Sequence, residues 1–393
     1  MAKISYKIKD YFSRTDKILW AISISMSIYS LLLLLSVSRT SNFGYFKTQF
    51  LAIVLGYIGA FVITKSDYRI IAKHYIIVAA VCIVLVLCTL VFGTAVTGNS
   101  GIDAKAWIKL PGGVSFQPSE LAKIGFMVTF SKHISVIKER DELKSFLNVA
   151  LLGAHALVPI ALTHLQGDDG AAIIFFFMFL FMAFAAGVQL RYFLAVFGAI
   201  ILMIPILWNY VFAEYQKQRI INQINPEADP LNTGFQQIQG KISIGSGKIF
   251  GQGLFNGPRV GGNSVPIQES DFIFSVAGEE LGFIGCVIII LLLAFMLIRT
   301  LKIASMSSDT LGTCICFGFF GLIAAQTIFN LGMCLSVLPV MGVTLPFFSA
   351  GGSSSACLYL GVGLVQSVFM QHYDKDLNGI ISEDAPCSEP SSF

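Results

Sequence analysis

The sequence predicts an all-α polytopic membrane protein of about ten transmembrane helices, with a large extracytoplasmic loop between helices 7 and 8. Three observations carry this. Of 393 residues, 55% are hydrophobic and only 12% charged, at a mean hydropathy of +0.75, too little polar surface to cover a soluble domain of that size. Apolar runs of about 20 residues, the length that crosses a bilayer, recur along the chain. Lys and Arg gather in alternate connections, as the positive-inside rule requires of cytoplasmic turns.

The expected spans are 18–38, 45–64, 75–95, 117–137, 146–164, 170–187, 191–213, 272–298, 311–335 and 348–371. They divide the chain into a cytoplasmic segment 1–17, helices 1–7 over 18–213, the outer loop 214–271, helices 8–10 over 272–371, and an acidic tail 372–393 expected to be disordered and cytoplasmic. Lys3, Lys7, Lys9, Arg14 and Lys17 precede an apolar run too long for a signal-peptide core, so the first helix is read as retained. Lys65, Arg69 and Lys73, then Lys132, Lys138, Arg140 and Lys144, then Arg191, then Arg299 and Lys302 mark the cytoplasmic turns and put both termini inside. The net charge of +3 reflects these anchors, and no nucleic-acid signature is present. Most of the eight cysteines lie within helices, without metal-ligand spacing.

A short turn, Arg39 to Tyr45, joins the first two helices, and Gln49 then enters the membrane, either bonded to a neighbouring helix or lining a polar cavity. Past the third helix, Gly98 to Gly113 mixes turn residues with Trp107, an interfacial anchor. In Gln117-Pro118-Ser119-Glu120-Leu121-Ala122-Lys123, proline starts a helix, Gln117 becomes its cap and Glu120 falls in the first turn. Glu120 and Lys123 share a face. Lys123 adds its charge where the helix dipole is already positive, so the pair reads either as an anion receptor or as a self-neutralising structural pair.

Gln166-Gly167-Asp168-Asp169-Gly170 closes the fifth helix, and an aspartate there serves as a cap for the next. Within 214–271, Lys217, Arg219, Lys241, Lys248 and Arg259 oppose the positive-inside bias, which a phosphate-bearing ligand would explain; solvated loop charges are the alternative. Glycines from Gly245 to Gly253 would let backbone approach a ligand or form an anion nest. Asp271 stands before an apolar helix as cap or functional carboxylate, with Glu269, Glu279 and Glu280 crowding the same start. Finally, Leu338 to Ser354 breaks the helix pattern with Pro339 and Pro346 and then supplies Ser349, Gly351 and Gly352.

These stretches, taken in order from Gln117 to Ser355, resemble the motifs of the RodA/FtsW (SEDS) family. Gln-Pro-Ser-Glu-x-x-Lys at 117–123 matches, as do Asp271-Phe272-Ile273-Phe274, Gly278-Glu279-Glu280-Leu281-Gly282 and the Leu-Pro-x-x-Gly-x-x-x-Pro-Phe-x-Ser-x-Gly-Gly-Ser run from Leu338. Gln166, Asp168 and Gly170 match a Gln-Pro-Asp-Leu-Gly motif from which Gly167 and Asp169 depart; Glu269 and Ser270 replace the usual His and Thr. The Gln-Arg-Ile and Asn-Pro-Glu-x-Asp-Pro elements of the outer loop resemble the rod-shape (RodA) branch.

The resemblance implies a peptidoglycan glycosyltransferase of the bacterial inner membrane that polymerises lipid II for cell-wall elongation and releases undecaprenyl pyrophosphate. It implies Asp271 as catalytic base, with Glu120 and Lys123 lining the central cavity, Lys123 to neutralise the leaving diphosphate and Glu120 to orient Lys123 or the acceptor. Gln117, Asp168, Arg219, Lys241, Lys248, Ser349, Gly351 and Gly352 would contact substrate at the outer face. A divalent cation is an alternative carrier of positive charge for the leaving diphosphate, and a class B penicillin-binding protein transpeptidase is the implied partner. A lipid flippase would need the same cavity and cations without a base; a membrane scaffold would need neither.

Overall fold

The computed structural model describes residues 11–97, 103–109, 115–224 and 233–383. Its architecture is a helical bundle with one small sheet. In order come α1 (Lys17–Thr40), α2 (Gly44–Lys65), the short α3 (Tyr68–Lys73) and α4 (Tyr75–Phe92), then β1 (Thr94–Thr97), β2 (Asp103–Lys109) and β3 (Ser115–Phe116). After the sheet follow α5 (Pro118–Glu139), α6 (Phe146–Leu165), α7 (Asp169–Ala186) and α8 (Leu190–Ile206), which runs into a π turn at Leu207–Val211. The remaining helices are α9 (Glu214–Ile224), α10 (Thr233–Ser246), α11 (Pro258–Gly261), α12 (Ile273–Met306), α13 (Thr310–Cys334) and α14 (Gly352–Glu383).

Nine helices among the described residues are long and apolar enough to cross a membrane. The expected span at 117–137 is the exception. Its helix, α5, has 22 residues, about 33 Å of rise. It carries Glu120, Lys123, Lys132, His133, Lys138 and Glu139, too many polar groups for lipid contact. Those charges are tolerated because α4, α6, α7, α13 and α14 surround it, burying an almost unbroken run from Pro118 to Phe130. The polar helix is thus the axis of the bundle.

Small residues let the helices around it approach closely, since lipid supplies no hydrophobic force to press them together. On α2, Gly56 faces the Tyr359 ring of α14, and Gly363 of α14 faces the Ala60 backbone in return. Gly318 and Gly321 of α13 meet Met127 of α5 and Met178 of α7 in the same way. At one end Asp16 caps α1 through the Leu19 N–H at 2.6 Å, pairs with Arg299 of α12, and exchanges backbone hydrogen bonds with Gln366 of α14 at 2.8 Å.

Two connections carry structure of their own. The described part of 98–113 holds β2, which pairs antiparallel with β1, Thr94 opposite Trp107, and with β3. Segment 214–271 carries α9, α10 and α11. On α10, Gly234, Gln236, Gln237, Gly240 and Ser243 are buried at helical spacing. Gly240 leaves room for the Phe272 ring. At the other end of the chain, α14 continues to Glu383 rather than ending near Met370.

The closely spaced glycines also find a use other than a ligand. Gly282 takes φ 67° and ψ −160° inside α12, which interrupts the helix. The segment from Gly247 to Gly253 lies against that break: Phe283 N–H donates to Lys248 O at 2.8 Å, while Gln252 and Gly253 donate to Glu279 O and Glu280 O at 2.9 and 3.0 Å. Backbone groups that would cost several kcal/mol each if left unpaired in an apolar setting are thereby satisfied. Gly247 is needed because a side chain there would strike Gly278 O.

Candidate active site

Gln117 is in extended conformation immediately before α5, with Pro118 opening the helix. Its side chain does not cap α5; Gln117 Nε2 instead donates to Asp168 Oδ2 at 2.7 Å, and the Ser119 hydroxyl lies 3.3 Å from the same oxygen. Asp168 Oδ1 accepts from the Ala171 N–H at 2.9 Å, so this one aspartate caps α7 and tethers the start of α5. Burial pushes the Asp168 carboxyl above its ordinary value, opposed by the Ala171 N–H and the Lys123 ammonium. Asp169 takes different partners: the His164 ring at 2.7 Å and Gln216 Nε2 at 2.6 Å. Asp168 joins the Gln117 cluster, whereas Asp169 joins His164 and Gln216.

One turn into α5, Lys123 Nζ and Glu120 Oε2 are 2.8 Å apart, with side chains 2% and 8% exposed. Neither charge faces bulk solvent. An ion pair this buried holds together because each member would be strongly destabilising alone.

Asp271 is 9% exposed and sits at the end of the 264–272 segment, directly before α12. Its Oδ1 accepts from the Ser270 hydroxyl at 3.0 Å. Its backbone carbonyl accepts from Asn330 Nδ2 of α13 at 2.9 Å, and the same amide donates to Val343 O at 2.7 Å. Asn330 therefore fastens the Asp271 segment to the Leu335–Gly351 turn. Sequence reading missed it; the available signal was a lone amide in an apolar helix, fully buried here.

The Leu335–Gly351 turn is the piece that relates the two clusters. On one side, a Cβ at Gly342 would lie 3.8 Å from Asp271 Oδ2. On the other, a Cβ at Gly170, next to Asp168, would lie 2.7 Å from Met341 O. Ser349 is buried within the turn, donating to Ser270 O at 2.6 Å and accepting from the Leu345 N–H at 2.8 Å. Gly351 N–H donates to Gln49 Oε1 at 3.2 Å, and Gly352 approaches the Thr48 methyl. Gln49 also bonds Ser355 at 2.9 Å, so it is the interhelical tie rather than an open cavity lining. Ser353 accepts from the Gln117 N–H at 3.2 Å, closing the circuit between the turn and α5. Gln117, Asp168, Asp271 and the small residues of the turn thus share one end of the bundle.

Glu279 and Glu280, expected to crowd Asp271, serve the folded segment instead. Glu279 Oε1 accepts from the Arg259 N–H at 2.7 Å, and Glu280 Oε1 accepts from the Ser36 hydroxyl at 2.5 Å. Arg259 bonds Ser243 and Gln239 of α10. Lys241 and Lys248 are exposed, the latter in the left-handed region at φ 51°. Arg219 belongs to α9, and its side chain lies outside the described residues. Among the described residues no three His, Cys, Asp or Glu side chains gather as a metal site. A magnesium-type ion needs only one or two carboxylates when substrate phosphates supply the other oxygens, and Asp271 fits that requirement.

The family profile FTSW_RODA_SPOVE, described as "Cell cycle protein", matches residues 15–374. The probable peptidoglycan glycosyltransferase FtsW of Geobacter metallireducens is 32% identical over 365 residues, covering 90% of this chain and 94% of that protein. Peptidoglycan glycosyltransferase MrdB of Escherichia coli K12 is 32% identical over 354 residues, covering 90% and 93%. Among solved structures, a chain from work on the structural coordination of polymerization and crosslinking by a peptidoglycan synthase complex matches with TM-score 0.77 and 28% identity, covering 91% of this chain and 98% of that one. The rod shape determining protein RodA of Thermus thermophilus matches with TM-score 0.67 and 25% identity at the same coverage. With a family profile spanning nearly the whole chain and relatives of this identity over nine-tenths of it, the protein belongs to the FtsW/RodA/SpoVE family.

Proposed function

We infer that this chain is a peptidoglycan glycosyltransferase that polymerises lipid II, with Asp271 as the base. The relatives that share its length carry that activity in their names. The observation that carries the assignment of Asp271 is its placement: a carboxylate 9% exposed, fixed through its backbone by Asn330, beside a turn whose Gly342 leaves space against its Oδ2.

The acceptor sugar hydroxyl gives its proton to the Asp271 carboxylate as its oxygen bonds to the anomeric carbon of the donor. The bond from that carbon to the diphosphate breaks, and its electron pair leaves on undecaprenyl pyrophosphate. A single displacement inverts the centre and needs no covalent enzyme intermediate. The departing charge calls for cations, for which Arg219, Lys241 and Lys248 on the 214–271 segment are the candidates; a divalent ion, which Asp271 would help to hold, would supply further positive charge. Lys123, paired with Glu120 at 2.8 Å, is a further candidate cation, with Glu120 orienting it. Gln117, Ser349, Gly351 and Gly352 would shape the surface that the saccharide meets.

By the positive-inside rule the site faces outward and both termini lie in the cytoplasm. The 214–271 motifs favour the rod-shape branch. A class B penicillin-binding protein transpeptidase, consuming the strand as it is made, is the fitting partner; the solved complex that this chain resembles couples polymerization to crosslinking.

The test is purified protein supplied with lipid II, with and without the transpeptidase. Wild type should form glycan strands, and Asp271→Asn should lower the rate by about 100-fold or more, the usual contribution of a positioned base. Undiminished strand synthesis by Asp271→Asn would remove Asp271 from the chemistry.

A further inference from the structure

A second polar feature lies away from the Asp271 turn. Helices α3, α5 and α13 leave between them a cleft of about 590 Å³. Arg69 and Lys73 line it from α3, Lys132, Ser135 and Glu139 from the far half of α5, and Asp309 from the start of α13. None of these groups takes part in the proposed reaction, and the volume falls in the range of small-molecule sites.

The acids in the cleft are engaged. Asp309 Oδ2 accepts from Arg69 Nε and from the Tyr68 hydroxyl, both at 2.8 Å, while its Oδ1 caps α13 through the Gly312 N–H at 2.7 Å. Glu139 Oε1 accepts from the Ser135 hydroxyl at 2.8 Å. The lysines are not. No ion pair joins Lys73 or Lys132 to a carboxylate among the described residues. Lys132 is half-buried and makes no ion pair with Glu139, two turns further along α5, whose Oε1 is turned to the Ser135 hydroxyl. A half-buried ammonium without a counter-charge, opposite a second unpaired lysine and a guanidinium held in place by Asp309, is an incomplete arrangement. A tetrahedral dianion or diester placed between them would complete it.

We propose that this cleft binds the phosphate of an anionic ligand, with Lys73 and Lys132 as its principal cations and Arg69 as the third. The phosphate has two sources: the headgroup of an anionic phospholipid in the adjoining leaflet, which basic pockets between helix ends are suited to hold, or a soluble phosphate ester.

The two are separated with full-length protein. In one arm, wild type, the double variant Lys73→Gln/Lys132→Gln and the control Lys138→Gln/Lys144→Gln are placed in phosphatidylcholine nanodiscs containing phosphatidylglycerol, and retained phosphatidylglycerol is counted by native mass spectrometry. In the other, the same proteins in detergent are titrated with glycerol 3-phosphate. The control removes equal charge from exposed positions outside the cleft. Loss of binding by about tenfold or more in the cleft variant, with the control within about twofold, is expected. In the nanodisc arm it identifies the lipid headgroup; in the titration arm it identifies the soluble ester. Equal losses in cleft and control variants, or no loss in either arm, would overturn the proposal. Melting temperature is recorded for each variant; should the double variant unfold, Lys73→Gln alone, at an exposed position, gives the same comparison.

Discussion

The Glu120–Lys123 pair shows what a single charge is worth in the axis of this bundle. Lys123→Met would leave Glu120 buried without its counter-ion, which costs about 3–5 kcal/mol, whereas Glu120→Gln/Lys123→Met removes both charges and should regain most of that stability. Denaturation in detergent checks the order: single variant far below wild type, double variant close to it. Asn330→Ala should cost about 1–3 kcal/mol, because Asp271 O and Val343 O each lose their donor, and should slow strand synthesis by releasing Asp271. At this scale the sequence was legible where chemistry is unusual in its setting. Asp271 and the Gln117-to-Lys123 run stood out as charges at helix mouths. Asn330 did not, because one amide among apolar residues reads the same whether it ties two helices or holds a catalytic segment.

Among the elements, α12 is the least visible in sequence. The span expected over 272–298 runs through Gly282 as one helix, yet the helix breaks there and borrows partners from the Gly247–Gly253 segment. Such a break depends on which backbone lies alongside, and that information belongs to residues some thirty positions away. Gly282→Ala would put a Cβ against the Gly251 N–H at φ 67°, and should destabilise by about 2 kcal/mol or more. Gly245→Ala, in helix α10 with nothing near its Cβ, should be neutral or stabilising by about 0.5 kcal/mol. Thermal unfolding of both variants separates a glycine required by close approach from one that is not. For α5 the misfit runs the other way: its length and its Pro118 start were readable, while its unsuitability for lipid only makes sense once the helices around it are known.

Taken whole, the molecule is a bundle closed at one end by the Leu335–Gly351 turn and at the other by polar ties such as Tyr68 and Arg69 to Asp309. Burial raises the Asp309 carboxyl, but the Gly312 N–H, Arg69 and Tyr68 outweigh it and hold its pKa below the ordinary 3.8. A folded-state pKa below the unfolded one stabilises at pH above 3.8, and this contribution fades as pH falls through the folded value. Asp309→Asn should therefore flatten the acid limb of the stability curve, read as melting temperature from pH 6 down to pH 3. Asp168 has the opposite sign: its raised pKa favours the fold at low pH and loses that advantage as pH rises through the folded value.

The order of motifs along the chain already announced this architecture. How the turn sits between Asp168 and Asp271 did not follow from it, because both approaches depend on glycines whose neighbours come from distant parts of the chain. The decisive measurement is the rate of lipid II polymerisation by purified Asp271→Asn, taken together with its affinity for lipid II. A base held at the edge of the turn predicts a rate lower by about 100-fold or more with affinity changed by no more than about threefold. Wild-type strand synthesis by that variant, or a lost rate explained wholly by lost binding, would contradict it.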